Sequence, residues 1–143
     1  MMHELIYTST CTGFLNEPDN METLLEVARN HNYEYGITGI LLFDGTYFTQ
    51  LIEGETKFIN DLYERLLQDN RHEKVCLESY SPVKKRLFSE WDMEYRQMDG
   101  SMILGPDTDN VRNINESSVD KQIGKLQARL NLLEKYQQMR GNQ

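Results

Sequence analysis

Gly36-Ile-Thr-Gly-Ile-Leu-Leu-Phe-Asp-Gly-Thr-Tyr-Phe-Thr-Gln-Leu-Ile-Glu53 decides the fold. Two β-rich runs, 36–43 and 46–53, flank Asp44-Gly45, a dipeptide that marks a tight hairpin because glycine reaches positive φ at little cost. Upstream, His3-Glu-Leu-Ile-Tyr-Thr-Ser-Thr10 reads as a strand, with Leu5 and Tyr7 on one face and Ile6 and Thr8 on the other. A turn-rich stretch, Cys11 to Asn20, holds Gly13 and Pro18; Asn20 is then a candidate N-cap with Glu22 in the first turn. Met21, Leu24, Leu25 and Ala28 follow at helical spacing to an end near Asn32. Leu24, Ala28 and Asn32 step by four and so share one face. Downstream, Gly54 is expected to break the strand. Glu55 to Asp69 reads as a second helix with Phe58, Ile59, Leu62, Leu66 and Leu67 on its buried stripe. Val75 to Tyr80 reads as a fourth strand ended at Ser81-Pro82, and Trp91-Asp-Met-Glu-Tyr95 alternates as a fifth.

That order, β-α-β-β-α-β-β, is α+β: a ferredoxin-like split βαβ with one extra strand and a C-terminal helix. Right-handed crossovers put both helices on one sheet face and make the first and third strands neighbours. The other face needs a cover. Ser117 to Arg140 is the candidate, with Val119, Ile123, Leu126, Leu130 and Leu133 alternating by three and four. That stripe lasts about two heptads, with Gln137 and Arg140 breaking it, short of the roughly three to four that argue for a coiled coil. Packing back on the sheet is therefore favoured over pairing alone, and it would bring the tail against strand five. The link Asp99 to Asn115 is rich in Gly, Asp and Asn, with a candidate turn at Met102, Ile103 and Leu104. The division expected is a domain at 1–97 and an extension at 98–143.

The chain has 143 residues, one domain of ordinary size, with a formal net charge of −8. Residues 1–115 carry 10 Lys/Arg against 20 Asp/Glu, whereas residues 116–143 carry 5 against 3. So acidic a body repels phosphate backbones, and Lys84-Lys85-Arg86 reads as a solvated connection rather than a nucleic-acid patch. No run approaches the roughly 20 apolar residues of a membrane span, and the N-terminus lacks the pattern of a signal peptide. Cys11 and Cys76 lie far apart, and His3, His31 and His72 are scattered, so reduced thiols, no metal site and a cytoplasmic setting are expected.

One constellation is out of place. Tyr7 on strand one and Gln50 on strand three (between Phe48 and Ile52) point into the core, and Asn32 on helix one points to the same volume. A buried amide without partners costs roughly 1–3 kcal/mol, so the three groups should bond one another, a water or a ligand. A slot walled by Leu24, Ala28, Leu41, Leu62 and Leu66 suits a flat apolar ligand with one polar edge. Asn32 both donates and accepts, as recognition of such an edge requires. Arg65 and Asp69, one turn apart on helix two, either complete that recognition or form a surface i,i+4 pair.

Local matches in a fixed order make residues 3–97 resemble a BLUF domain, the flavin-based blue-light sensor, of the short single-domain type. They are Leu5-Ile-Tyr7, His31-Asn32, Gly36-Ile-Thr-Gly-Ile40, Phe48-Thr-Gln-Leu-Ile-Glu-Gly54, Gln68-Asp69-x-Arg71-His72 and Arg86-x-Phe-x-x-Trp-x-Met93. The resemblance implies a flavin between the helices, usually FAD, with FMN or riboflavin as alternatives. It implies Tyr7 as photochemical electron donor and Gln50 as its hydrogen-bond partner. Asn32 would meet the pyrimidine edge with His31 and Arg65 near it, Arg71 and His72 would meet the ribityl-phosphate end, and Trp91 and Met93 would relay the signal. His31 is a departure, because that position alternates between Asn and His in the family.

Two rivals follow from the same fold. An acylphosphatase-like enzyme needs a basic phosphate loop after strand one, but Ser9-Thr-Cys-Thr-Gly13 has no basic residue, so no enzyme is expected. A light-independent interaction module would be colourless, whereas a flavoprotein is yellow. Residues 98–143 are too few for a cyclase or phosphodiesterase, so the expected output is a separate protein effector, with homo-oligomer contacts around the tail.

Overall fold

A computed structural model describes residues 1–13, 19–90, 92–97 and 123–128. Its elements are β1 (Met2–Cys11), α1 (Asn20–Tyr35), β2 (Thr38–Phe43), β3 (Tyr47–Glu55), α2 (Thr56–Leu67), β4 (His72–Val83) and β5 (Glu94–Gln97). The sheet order is β4-β1-β3-β2-β5, with β1 and β3 adjacent as the split βαβ order requires. All pairs are antiparallel except β2 with β5.

The hairpin forms where Asp44-Gly45 announced it. Asp44 Oδ1 accepts from the Thr46 and Tyr47 amides at 2.9 and 2.7 Å, and Gly45 takes φ 101° at the bend. Helix α1 runs one turn past Asn32, because the chain turns only at Gly36, whose left-handed φ of 67° closes the helix onto Asn32 and Tyr33 carbonyls. Its N-cap position is Asp19 rather than Asn20.

Several boundaries differ from the sequence reading: β2 starts at Thr38 rather than Gly36, α2 ends at Leu67 rather than Asp69, and β4 starts at His72 rather than Val75. Gly54 does not break β3: it pairs with His3, and a Cβ there would stand 3.1 Å from the Gly36 carbonyl oxygen, so glycine admits the α1–β2 turn against the strand. Pro82 does not end β4 either. It pairs with His3 on an edge strand, where its missing N–H costs no ladder bond. The fifth strand starts at Glu94, not at residue 91. Leu67, placed on the α2 stripe by spacing, is exposed at the helix end.

Strand alternation divides the core. On the helical face Leu5, Tyr7, Leu41, Phe43, Phe48 and Ile52 pack with Leu25 of α1 and Ile59 of α2. On the far face Ile6, Ile40, Leu42 and Leu51 pack with Phe88 and with Ile123 and Leu126. The 123–128 helical segment thus covers the second face, as the sheet demanded. Strand five was expected to touch the tail through Trp91 and Met93. Met93 instead lies on the helical face, and Phe88 meets the tail's cluster. Trp91, the 99–115 link with Met102, Ile103 and Leu104, and Val119, Leu130 and Leu133 lie outside the described residues.

Candidate functional site

Between α1, α2 and the sheet lies a cavity of about 290 Å3, near the lower end of small-molecule sites. Every residue the sequence nominated for the slot lines it: Tyr7, Leu24, Ala28, His31, Asn32, Leu41, Phe48, Gln50, Leu62, Arg65, Leu66, Asp69, Arg71 and His72. Val27 and Met93 line it as well. Val27 was missed although it stands one turn before His31, and it is half-exposed at the mouth.

The floor is a chain of three side chains. Tyr7 and Gln50 are cross-strand partners in register, and Leu41 flanks Gln50 on the other side. The Tyr7 hydroxyl donates to Gln50 Oε1, and Gln50 Nε2 donates to Met93 Sδ at 3.4 Å. A thioether has no proton to give, so the amino end of Gln50 must face Met93 and its carbonyl end is left for Tyr7. Burial pushes the Tyr7 phenol well above its ordinary range, and the charge of Asp69 and the Tyr63 ring add to the rise. The hydroxyl is therefore a neutral donor at any ordinary pH.

The wall at the end of α1 is ordered by a second chain. Arg65 Nη1 contacts His31 Nε2 at 2.8 Å, and His31 Nδ1 contacts Asn32 Oδ1 at 3.3 Å. Because a guanidinium only donates, His31 accepts at Nε2 and carries its proton at Nδ1, which donates to Asn32. Asn32 Nδ2 then donates to the Asp92 carbonyl at 2.8 Å, and Arg29 Nε holds the Met93 carbonyl at 2.9 Å. Asn32 therefore does not join Tyr7 and Gln50, as convergence suggested; it holds the segment entering β5. Nor do Arg65 and Asp69 pair. Asp69 takes a forked bond from Arg71, with Nη2–Oδ2 at 2.5 Å, and that contact holds its carboxyl below the usual range. His72 completes the far end, its Nε2–H donating to the Leu66 carbonyl at 2.6 Å while Nδ1 meets Ser9 Oγ at 2.8 Å.

Residues 2–94 match the family profile described as sensors of blue-light using FAD. The chain belongs to the BLUF family. It is 31% identical over 101 residues to photoactivated adenylate cyclase subunit beta of Euglena gracilis, covering 68% of this chain and 12% of that protein. It is 34% identical over 88 residues to the blue light- and temperature-regulated antirepressor BluF of Escherichia coli, covering 59% and 21%. The match thus spans no more than about a fifth of these relatives' length. Among solved structures, BlrB, a BLUF protein in its dark state, superposes with TM-score 0.62 at 30% identity, covering 66% and 70% of the two chains. BlrP1 of Klebsiella pneumoniae gives 0.67 at 26% identity, covering 92% and 34%.

This BLUF chain meets the needs of a flavin with residues already in place. Two helices and the sheet supply apolar walls for a flat ring system, and Asn32, Gln50, Arg65 and Asp69 supply polar groups in the same cavity. Among the described residues no group of His, Cys, Asp and Glu is arranged for a metal, and no helix is long and apolar enough to cross a membrane.

Among the described residues, Glu4, Ser9, Thr38 and Glu53 are buried polar groups that the sequence reading missed. Glu53 is fully buried on the far face, where burial raises its carboxyl despite bonds from the Leu87 and Phe88 amides and Thr38 that favour the charge. Strict alternation from Leu51 would have shown a carboxylate on an apolar face.

Proposed function

We propose that this chain is a blue-light photoreceptor whose cavity holds FAD non-covalently, with Tyr7 and Gln50 as its photochemical pair. The observation that carries this is the Tyr7–Gln50–Met93 chain on the floor of a cavity between the two helices of a BLUF fold. When bound and excited by blue light, a flavin supplies a strong one-electron oxidant. Tyr7 is the buried aromatic donor at the cavity floor, and its hydroxyl proton already points to an acceptor, Gln50 Oε1. Gln50 carries an acceptor and a donor on one flat group, so rotation or tautomerism exchanges them. Reversal sets the carbonyl against Met93 Sδ, which cannot donate, and so breaks the thioether contact. A change worth about 1 kcal/mol shifts a bistable segment several-fold. Asn32, with His31 and Arg65 beside it, is proposed to meet the polar edge of the ring, and Arg71 and His72 its phosphate-bearing end. Trp91 and Met93 are proposed as relay.

Residues 1–97 are proposed as the sensor and 98–143 as the extension that reaches a separate effector protein, with self-association around the tail. The sensor needs no catalytic residue of its own. Cys11 and Cys76 are not joined in a disulfide, which suits a reducing, cytoplasmic compartment.

Purified protein tests the reading directly. It should be yellow, release FAD on denaturation, and shift its blue absorbance band to the red under light; release of FMN or riboflavin would correct the cofactor alone. Colourless protein that takes up no added flavin would leave an interaction module instead.

A further inference from the structure

Strand β3 touches the β4–β5 connection on both of its faces. Gln50 and Glu53 are three residues apart, so their side chains leave the strand on opposite sides. On the helical side, Gln50 meets Met93. On the far side, Glu53 Oε1 accepts from the Leu87 amide and Oε2 from the Phe88 amide, each at 2.6 Å. Thr38 Oγ1 donates to Oε2 at 3.0 Å, and Arg86 Nη1 donates to Thr38 Oγ1 at 2.9 Å and to the Glu53 carbonyl at 3.3 Å. Residues 86, 87 and 88 are thus held in succession around one buried carboxylate. Phe88 is fully buried in the apolar cluster that contains Ile123 and Leu126.

The connection therefore runs from an anchor at Glu53 to a contact at Gln50, around the sheet. We propose that Glu53 is the positioning residue that keeps this connection taut, so that loss of the Gln50–Met93 contact on one face loads Phe88 and the 123–128 segment on the other. This rests on the photosensor reading above. A carboxylate is required because both amides are donors and each oxygen accepts. A carboxamide would turn an NH2 toward one of them, release that end and let slack absorb the displacement.

The test uses the full-length flavin-loaded protein and the Glu53→Gln variant. The variant should keep its flavin and its light-induced red shift. Dark recovery should slow by roughly fivefold, the scale of one lost hydrogen bond's restoring free energy. The light-dependent change in amide hydrogen exchange at 123–128, present in the unmodified protein, should disappear. A role as a mere staple would lower stability and leave both readouts alone, and unchanged recovery and exchange would overturn the proposal. A red shift in the unmodified protein without any exchange difference at 123–128 would overturn it too. No flavin or no red shift in the unmodified protein would sink the photosensor reading itself. Should Glu53→Gln fail to fold, Thr38→Val, which removes one donor and keeps the carboxylate, must move both readouts in the same direction by less; unchanged readouts there refute the proposal.

Discussion

Tyr7 illustrates how burying one hydroxyl limits alkaline stability. Its phenol is raised above the ordinary value of 10.0 in the folded chain, so the unfolded chain loses that proton first as pH rises. Stability held below pH 10 must then fall toward the folded value. Tyr7→Phe should flatten this alkaline loss, read as urea midpoints on either side of pH 10. At neutral pH the same substitution leaves Gln50 Oε1 without its donor and should cost about 1–3 kcal/mol. Flavin should stay bound while the red shift vanishes; a normal red shift would remove Tyr7 from its role. Asn32→Ala should lower flavin occupancy more than His31→Ala, since Asn32 is 1% exposed and ties down Asp92 while His31 sits at the rim about 100° around the helix. Equal occupancy in the two purified variants would count against that ranking. Tyr7, Gln50 and Asn32 were legible because periods of two and four alone place polar groups on an apolar face. The partners of Asn32 and Glu53 were not, because backbone carbonyls and amides 34 to 60 residues away carry no sequence signature.

Among the elements, the hairpin and both helices could be read from pattern, while strand ends were misjudged wherever tertiary contact outweighed a local breaker. Gly54 and Pro82 both read as stops, yet one sits inside β3 and the other on an edge with no ladder bond to lose. Gly39 is the stricter glycine: a Cβ there would lie 2.0 Å from the Leu51 carbonyl oxygen in the neighbouring strand. Gly39→Ala should therefore separate β2 from β3 and cost about 2–4 kcal/mol. Gly45→Ala has open space and only its positive φ to overcome, about 1–2 kcal/mol. Chemical denaturation of the pair measures the difference, and equal losses would mean that the strands part freely at Gly39.

For the molecule as a whole, the tail's two described contacts decide how much it matters. Ile123 and Leu126 are almost wholly buried on the far face, and each such side chain contributes roughly 1.5–3 kcal/mol. Ending the chain after Asn115 should thus remove about 3–6 kcal/mol from the total of roughly 5–15 typical of a domain, besides baring Ile6, Ile40 and Leu51. Matching urea midpoints for the two lengths would show the far face needs no cover. That the second face required a helix could be seen from the layer rule; that Phe88 rather than strand five would meet it could not, because the crossing of the connection around the sheet leaves no periodic trace. The margins of the sheet carry a separate consequence. One border, β4, is interrupted by Pro82, by Lys74 at φ 53° and by two register shifts against β1, while β5 at the other is four residues long. Among the described residues, neither border offers a long, flat row of free amides and carbonyls, so ladder growth into fibrils is discouraged at both. A contact between copies of this chain, if one forms, would then rest on side chains rather than on shared backbone ladders.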